Sequence, residues 1–259
     1  MEIRFLGTSN GFISSTRWQT GILVRDEITM LLDCGAPIAH LMAREKLKAD
    51  TVDLIWLSHS HSDHIGQFPS LIQHLWLQKR TKPLRIMGPS GLLRRLRDWL
   101  PQCMLFPELL PFKIEWNEIP LKHARPLSFN GYRFTPFPTE HLYDFRSRFS
   151  KTSKKVCFET LAVRIEAPKK SFAFSADLKS PDDLDGLLGK PLDLLICELT
   201  HFTPESLFEK LAKAPIQKLI LTHYPDRYAR WEKKLQRLAV SHGFDGEVLV
   251  APDGGRFTV

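Results

Sequence analysis

The chain has 259 residues, 43% of them hydrophobic and 25% charged, with a formal net charge of +7. That balance excludes a disordered chain or a fibrous repeat, and no apolar run is long enough to span a bilayer, so no membrane partner is expected. The excess of Lys and Arg suits a polyanionic ligand, although basicity of this size is also common among proteins that bind no nucleic acid.

In chain order, residues 2–6 read as a first strand, and 21–25 and 29–33 as a hairpin closed at Asp26-Glu27. Met1-Glu2-Ile3-Arg4 leads straight into that strand, so no signal peptide is expected and the expected compartment is the cytoplasm. Residues 37–48 have helical character. The apolar run Val52-Asp53-Leu54-Ile55-Trp56-Leu57 is followed at once by Ser58-His59-Ser60-His61-Ser62-Asp63-His64. Helical patterning returns at 68–79 and at 90–100, the second after the turn Met87-Gly88-Pro89-Ser90-Gly91, with Ser90 as the expected N-cap. Thr135-Pro136-Phe137-Pro138-Thr139-Glu140-His141 sets another His behind a Pro-rich stretch. Short apolar runs at 171–176, 192–197 and 218–222 read as strands buried on both faces, ending at Asp177, at Glu198 and His201, and at His223. Residues 230–242 form an amphipathic helix with a solvated Lys/Arg face. No Pro/Gly/Ser-rich linker divides the chain, so one domain over residues 1–259 is expected. The four cysteines form no CxxC pair and read as reduced thiols.

The chemistry concentrates in residues 58–64, where three imidazoles and a carboxylate fall within six positions. Imidazole nitrogen and carboxylate oxygen suit borderline divalent ions such as zinc, and no thiolate accompanies them, which favours a catalytic over a structural site. In His59-x-His61 both side chains leave one face of an extended segment and can share an ion, while Asp63 and His64 on the following turn can hold a second. Asp177, His141 and His223 stand after the later runs, and open α/β sheets place their chemistry at the carboxyl ends of strands.

The set His59-x-His61-x-Asp63-His64, then His141, Asp177 and His223, resembles the metallo-β-lactamase superfamily over nearly the whole chain. The resemblance implies an α/β fold, the αββα four-layer sandwich, with two divalent ions, zinc first and manganese second. One ion would take His59, His61 and His141, the other Asp63, His64 and His223, and Asp177 would bridge them. An Asp rather than a Cys at the bridging position is similar to the hydrolase branches, so antibiotic hydrolysis is disfavoured.

Three further stretches resemble ribonuclease Z, the tRNA 3′-processing endonuclease. Leu221-Thr222-His223-Tyr224-Pro225-Asp226-Arg227-Tyr228 is similar to that family's last motif, with Pro225 where a Ser normally stands. Glu198-Leu199-Thr200 is similar to its Glu-Ala-Thr segment, with Cys197 for the usual His, and His201-Phe202-Thr203 is similar to its His-Ser-Thr motif, here fused to the preceding one. The opening Phe5-Leu6-Gly7-Thr8-Ser9 fits as well, with the Pro that normally follows replaced near Ile13. The protruding arm that grips tRNA in that family is absent, and in its place residues 146–155 form a short basic loop with an interleaved aromatic.

By this resemblance the chain is a metal-dependent phosphodiesterase acting on RNA, tRNA 3′ ends included, or on a smaller nucleotide diester, and related enzymes are often homodimers. Two metals activate water and stabilise an in-line displacement; Asp63 would orient that water. His201 would be the general acid, Glu198 its tautomer-setting partner, and Arg227 with Tyr228 would bind substrate. A lactonase or thioester hydrolase of the glyoxalase II type, and a non-catalytic RNA-binding scaffold, stand as the alternatives.

Overall fold

The computed structural model describes residues 1–259, and in it two stretches of chain are wired by the same series of moves. Contacts divide the chain into one unit of Met1–Leu121 with Asp253–Thr258 and a second of Lys122–Pro252.

In the first unit β1 (Glu2–Gly7), β2 (Gly21–Arg25) and β3 (Thr29–Leu32) pair antiparallel. The chain then turns to parallel connections through α1 (Ile38–Arg44), β4 (Leu54–Trp56), α2 (Ser62–Ile65), α3 (Phe68–Leu77), β5 (Leu84–Pro89), α4 (Ser90–Trp99) and β6 (Ile114–Ile119). The expected helix over 37–48 is shorter because Lys46 takes a left-handed φ of 53°. Leu47 N–H then donates to Met42 C=O and Lys46 N–H to Ala43 C=O, the hydrogen-bond pattern that closes a helix at such a residue. Lys79 at φ 59° closes α3 in the same way, with Arg80 N–H on Leu75 C=O. Ser90 is the first residue of α4 rather than its N-cap: Pro89 occupies that position and no side chain caps the helix.

The second unit repeats the plan. β7 (Leu127–Phe129), β8 (Tyr132–Thr139), α5 (Tyr143–Phe149), β9 (Thr160–Glu166) and β10 (Ser171–Phe174) come first, their strands antiparallel. Parallel β11 (Leu192–Glu198), α6 (Pro204–Leu211), β12 (Ile216–Thr222), α7 (Glu232–Ser241) and β13 (Glu247–Val250) follow. β14 (Arg256–Thr258) returns to pair with β1. The two seven-stranded sheets run β14-β1-β2-β3-β4-β5-β6 and β13-β12-β11-β10-β9-β8-β7.

The Pro-rich stretch before His141 is itself strand. β7 pairs only Tyr132–Phe134 of β8, so beyond that point β8 has a partner, β9, on one side alone. Pro136 and Pro138 are two residues apart and send their ring nitrogens toward the same, unpaired side, where a missing N–H costs no ladder bond. Part of the expected basic loop is also ordered differently, since α5 carries residues 143–149 as helix.

The apolar runs become the middle of the second sheet. β11 buries Leu192, Leu194, Leu195, Ile196 and Cys197, and β12 buries Leu219, Ile220 and Leu221. On one face of that sheet α6 supplies Leu207, Phe208 and Leu211 and α7 supplies Leu235 and Ala239 to one buried cluster. Burying such side chains stabilises by roughly 1.5–3 kcal/mol each, an upper figure because the unfolded chain is partly collapsed.

Candidate metal centre

In the first unit the functional segment starts where β4 ends. Leu32 and Trp56 are register partners in the parallel β3–β4 pair, so Asp33 and Ser58 leave the sheet at the same edge. Asp33, wholly buried and at φ 60°, accepts from Ser58 N–H at 2.8 Å and from the Ser58 hydroxyl at 2.7 Å. Its second oxygen also lies 2.7 Å from His64 Nδ1. A carboxylate accepts, so Nδ1 carries the proton and His64 presents Nε2 as a ligand atom. Ser58 Oγ lies 3.0 Å from His59 Nδ1 and leaves that ring, too, to offer Nε2.

His61 begins the turn and Asp63 and His64 ride on α2, as expected from the spacing. The ring centroids of His59 and His61 are 4.8 Å apart and those of His59 and His64 are 4.2 Å apart. Ligand atoms of His59 and His61 lie within 4.8 Å of one another, and so do those of Asp63 and His64. Gly35 lets this turn sit close: a Cβ there would fall 2.2 Å from Asp63 C=O.

In the second unit β8, β10, β11 and β12 all point the same way, so His141, Asp177, Glu198 and His223 emerge at one edge of the sheet. Asp177 lies three residues beyond β10, after Ala176 bends the backbone at φ 52°. The Thr139 hydroxyl donates to Asp177 C=O at 2.9 Å. Asp177 Oδ2 stands 3.5 Å from His141 Nε2 and 3.4 Å from His223 Nε2. One carboxylate oxygen facing two imidazole nitrogens, with Asp177 and His223 buried, is a donor set that a cation would draw together. The set is all nitrogen and oxygen, so the residues fit a borderline divalent ion.

Glu198 is buried and ringed by donors. Its Oε1 accepts from Leu178 N–H at 2.7 Å and lies 2.7 Å from His201 Nδ1, while Oε2 accepts from Thr200 N–H at 2.8 Å and His201 N–H at 3.2 Å. The His201 ring is 4.6 Å from that of His141 and stacks 6.2 Å from that of His223, centroid to centroid. The Thr200 hydroxyl donates to His223 C=O, and His223 holds φ 46°. Beside this group burial pushes the Cys197 thiol far up, so it stays protonated.

Arg227 is exposed, its guanidinium 4.8 Å above the Tyr228 ring and donating to the Tyr228 hydroxyl at 3.3 Å. Tyr228 is buried in the apolar cluster edge-on to Trp231. Asp33 and Thr139 are the residues that sequence reasoning missed; Asp33 follows a strand, as Asp177 and His223 do, but it stands outside any His/Asp cluster in the chain.

A family model described as beta-lactamase superfamily domain matches residues 29–224. Among curated relatives, the chain is similar to the ribonuclease Z of Methanothermobacter thermautotrophicus, 28% identical over 285 residues covering 91% of this chain and 90% of that protein. Shorter matches to other ribonucleases Z span about half of those proteins, 45% in one case. Among solved structures, the metallo-beta-lactamase fold protein YhfI from Bacillus subtilis superposes with a TM-score of 0.73 at 21% identity, over 99% of this chain and 98% of that one. Human tRNase Z, short form, superposes with a TM-score of 0.71 at 21% identity, over 100% and 99% of the two chains. At these identities the solved structures establish the metallo-β-lactamase α/β fold. The matched segment contains each of the His and Asp ligand candidates, and the chain belongs to the beta-lactamase superfamily.

Proposed function

We propose that this chain is a metal-dependent phosphodiesterase of the ribonuclease Z type, acting on RNA, tRNA 3′ ends included, or on a smaller nucleotide diester. The observation that carries the reading is the Glu198–His201 pair, 2.7 Å from carboxylate to Nδ1, standing against His141 and His223. Hydrolysis of a ribose ester needs a proton for a strongly basic leaving oxygen, and this pair is built to hold one.

One ion would be held by His59, His61 and His141 and the other by Asp63, His64 and His223, with Asp177 common to both. Zinc is the ion this donor set suits best. When bound, two such ions supply an activated water and neutralise charge developing at phosphorus.

The chain's own groups do the rest. Asp63 orients the water for in-line attack. Glu198 fixes the His201 proton on Nδ1, so that a second proton on Nε2 is the one delivered to the leaving oxygen. Arg227, steadied over Tyr228, binds a non-bridging phosphate oxygen. For RNA, α5 supports the reading, since Arg146 lies 5.4 Å over the exposed Tyr143 ring and Arg148 lies 5.1 Å over Phe149. Aromatic rings interleaved with cations are what a single strand stacks on. No helix is long and apolar enough to cross a membrane.

The test is hydrolysis of bis(p-nitrophenyl) phosphate beside a lactone and a thioester, with metal content measured on the same sample. The diester should be preferred and two divalent ions recovered per chain; preference for the lactone or thioester would replace this reading, and activity on none would leave an RNA-binding scaffold.

A further inference from the structure

The β1–β2 connection is a loop pinned at its base and apolar at its tip. Asp253 accepts from Thr8 N–H at 2.9 Å, from the Thr8 hydroxyl at 2.7 Å and from Trp18 N–H at 2.6 Å. Ser9 N–H donates to Trp18 C=O at 2.7 Å, and the buried Arg17 guanidinium donates to Thr8 C=O at 3.1 Å. Within the tip, Phe12 N–H donates to Asn10 Oδ1 at 3.2 Å and the Ser9 hydroxyl to Phe12 C=O at 3.3 Å. A loop held at both levels has little freedom to fold its tip back onto the surface.

That tip carries the two most exposed large apolar side chains of the protein. Phe12 is 82% and Ile13 84% exposed, against 71% for the next, Leu77. Single exposed apolar residues are ordinary, but two adjacent ones raised on a braced loop present a small apolar face. Its location gives that face a use. A Cβ on Gly11, the residue before Phe12, would stand 3.5 Å from Asp63 Oδ2, ordinary van der Waals contact with the carboxylate expected to orient water.

We infer that Phe12 and Ile13 are specificity-determining residues, the face on which a nucleobase next to the scissile phosphate stacks. The inference rests on the diesterase reading for its substrate class and on the loop's geometry for its placement. A base offers a flat π-face of about the size of the Phe12 ring, and stacking of this kind tolerates any base. The contact therefore selects nucleotide diesters over diesters without a base, and does not choose among sequences.

The experiment uses Phe12→Ala, Ile13→Ala and Phe12→Trp. Affinity for a fluorescein-labelled tetraribonucleotide is read by anisotropy with metal chelated, and kcat and KM are read on that RNA and on methyl p-nitrophenyl phosphate. Phe12→Ala should weaken RNA binding by roughly 5- to 150-fold, the equivalent of about 1–3 kcal/mol of base stacking. The loss should appear in KM rather than kcat, the ratio of RNA to methyl-diester kcat/KM should fall in step, Ile13→Ala should do the same more weakly, and Phe12→Trp should restore both. Unchanged RNA affinity, or an equal loss on both substrates, overturns the inference. A wild-type chain that cleaves no diester but binds RNA through Phe12 refutes the diesterase reading and leaves the stacking face; one that cleaves the methyl diester while Phe12→Ala binds RNA normally does the reverse.

Discussion

His201→Ala and Glu198→Gln together test how the proton reaches the leaving group. Each hydrogen-bonding neighbour of the Glu198 carboxylate, namely Leu178 N–H, Thr200 N–H, His201 N–H and His201 Nδ1, stands at 2.7 to 3.2 Å and is a donor or must become one. If His201 is the acid, its removal should lower phosphodiester cleavage by about 10²–10⁴-fold, the usual contribution of a positioned acid. Glu198→Gln keeps the shape but turns an NH2 group toward those donors. The charge-assisted bond to Nδ1 is lost, about 1.5–3 kcal/mol, which at 1.36 kcal/mol per tenfold is a decrease of roughly 10- to 150-fold. The assay is steady-state kinetics on a series of diesters whose leaving groups run from nitrophenol to a ribose hydroxyl, with metal content measured for each variant. A good leaving group departs without a proton, so the loss should shrink along the series toward nitrophenol. The same loss on every leaving group, in variants that keep their metal, would refute the acid assignment and make the pair a structural device.

Asp177→Ala should lower the content of both ions, because one carboxylate oxygen faces His141 and His223 together; full occupancy by elemental analysis would end its assignment as a bridge. Asp33→Asn should weaken metal binding by about 10–100-fold, the usual cost of losing a carboxylate behind a ligating His, as read by chelator competition; unchanged affinity would mean that His64 needs no support. RNA affinity should fall only gently with salt, since each neutralised phosphate of a single strand contributes a slope of about 0.7 and only α5 and its flanking residues replace a gripping arm. A steep slope with strong preference for folded tRNA would reveal a gripping surface elsewhere.

The ligand candidates were legible for two different reasons. His59, His61, Asp63 and His64 are close in the chain, so their chemistry shows without any fold. Asp177 and His223 were legible because each follows an apolar run that reads as a strand, and His141 only by its place in the ligand series behind a Pro-rich stretch. Asp33 escaped because its task depends on Leu32 lying beside Trp56, a non-local register that no local pattern announces. The helix ends at Lys46 and Lys79 escaped because lysine stands at left-handed positions where glycine would have been the signal. Pro136 and Pro138 hid β8, since a strand that tolerates two prolines must first be known to have an open side. The helix in α5 is seven residues long, too short for periodicity to separate from a basic loop.

The backbone around the candidate ligands explains why residues so far apart in sequence meet at one sheet edge. Four antiparallel strands followed by parallel ones leave β8, β10, β11 and β12 pointing one way, so the four loops that carry chemistry in the second unit start from one line. Hydrogen bonds from strand-end side chains then set the loops individually. Thr139 holds the carbonyl of Asp177, Thr200 holds the carbonyl of His223, and Glu198 holds the N–H of Leu178, the residue after Asp177. Glu198 is thus tied both to the His201 ring and to the chain leaving Asp177. If His201 donates the proton and Asp177 bridges the ions, as proposed, Glu198 couples proton delivery to ligand geometry, and its replacement should disturb both metal content and leaving-group dependence while His201→Ala disturbs the second alone.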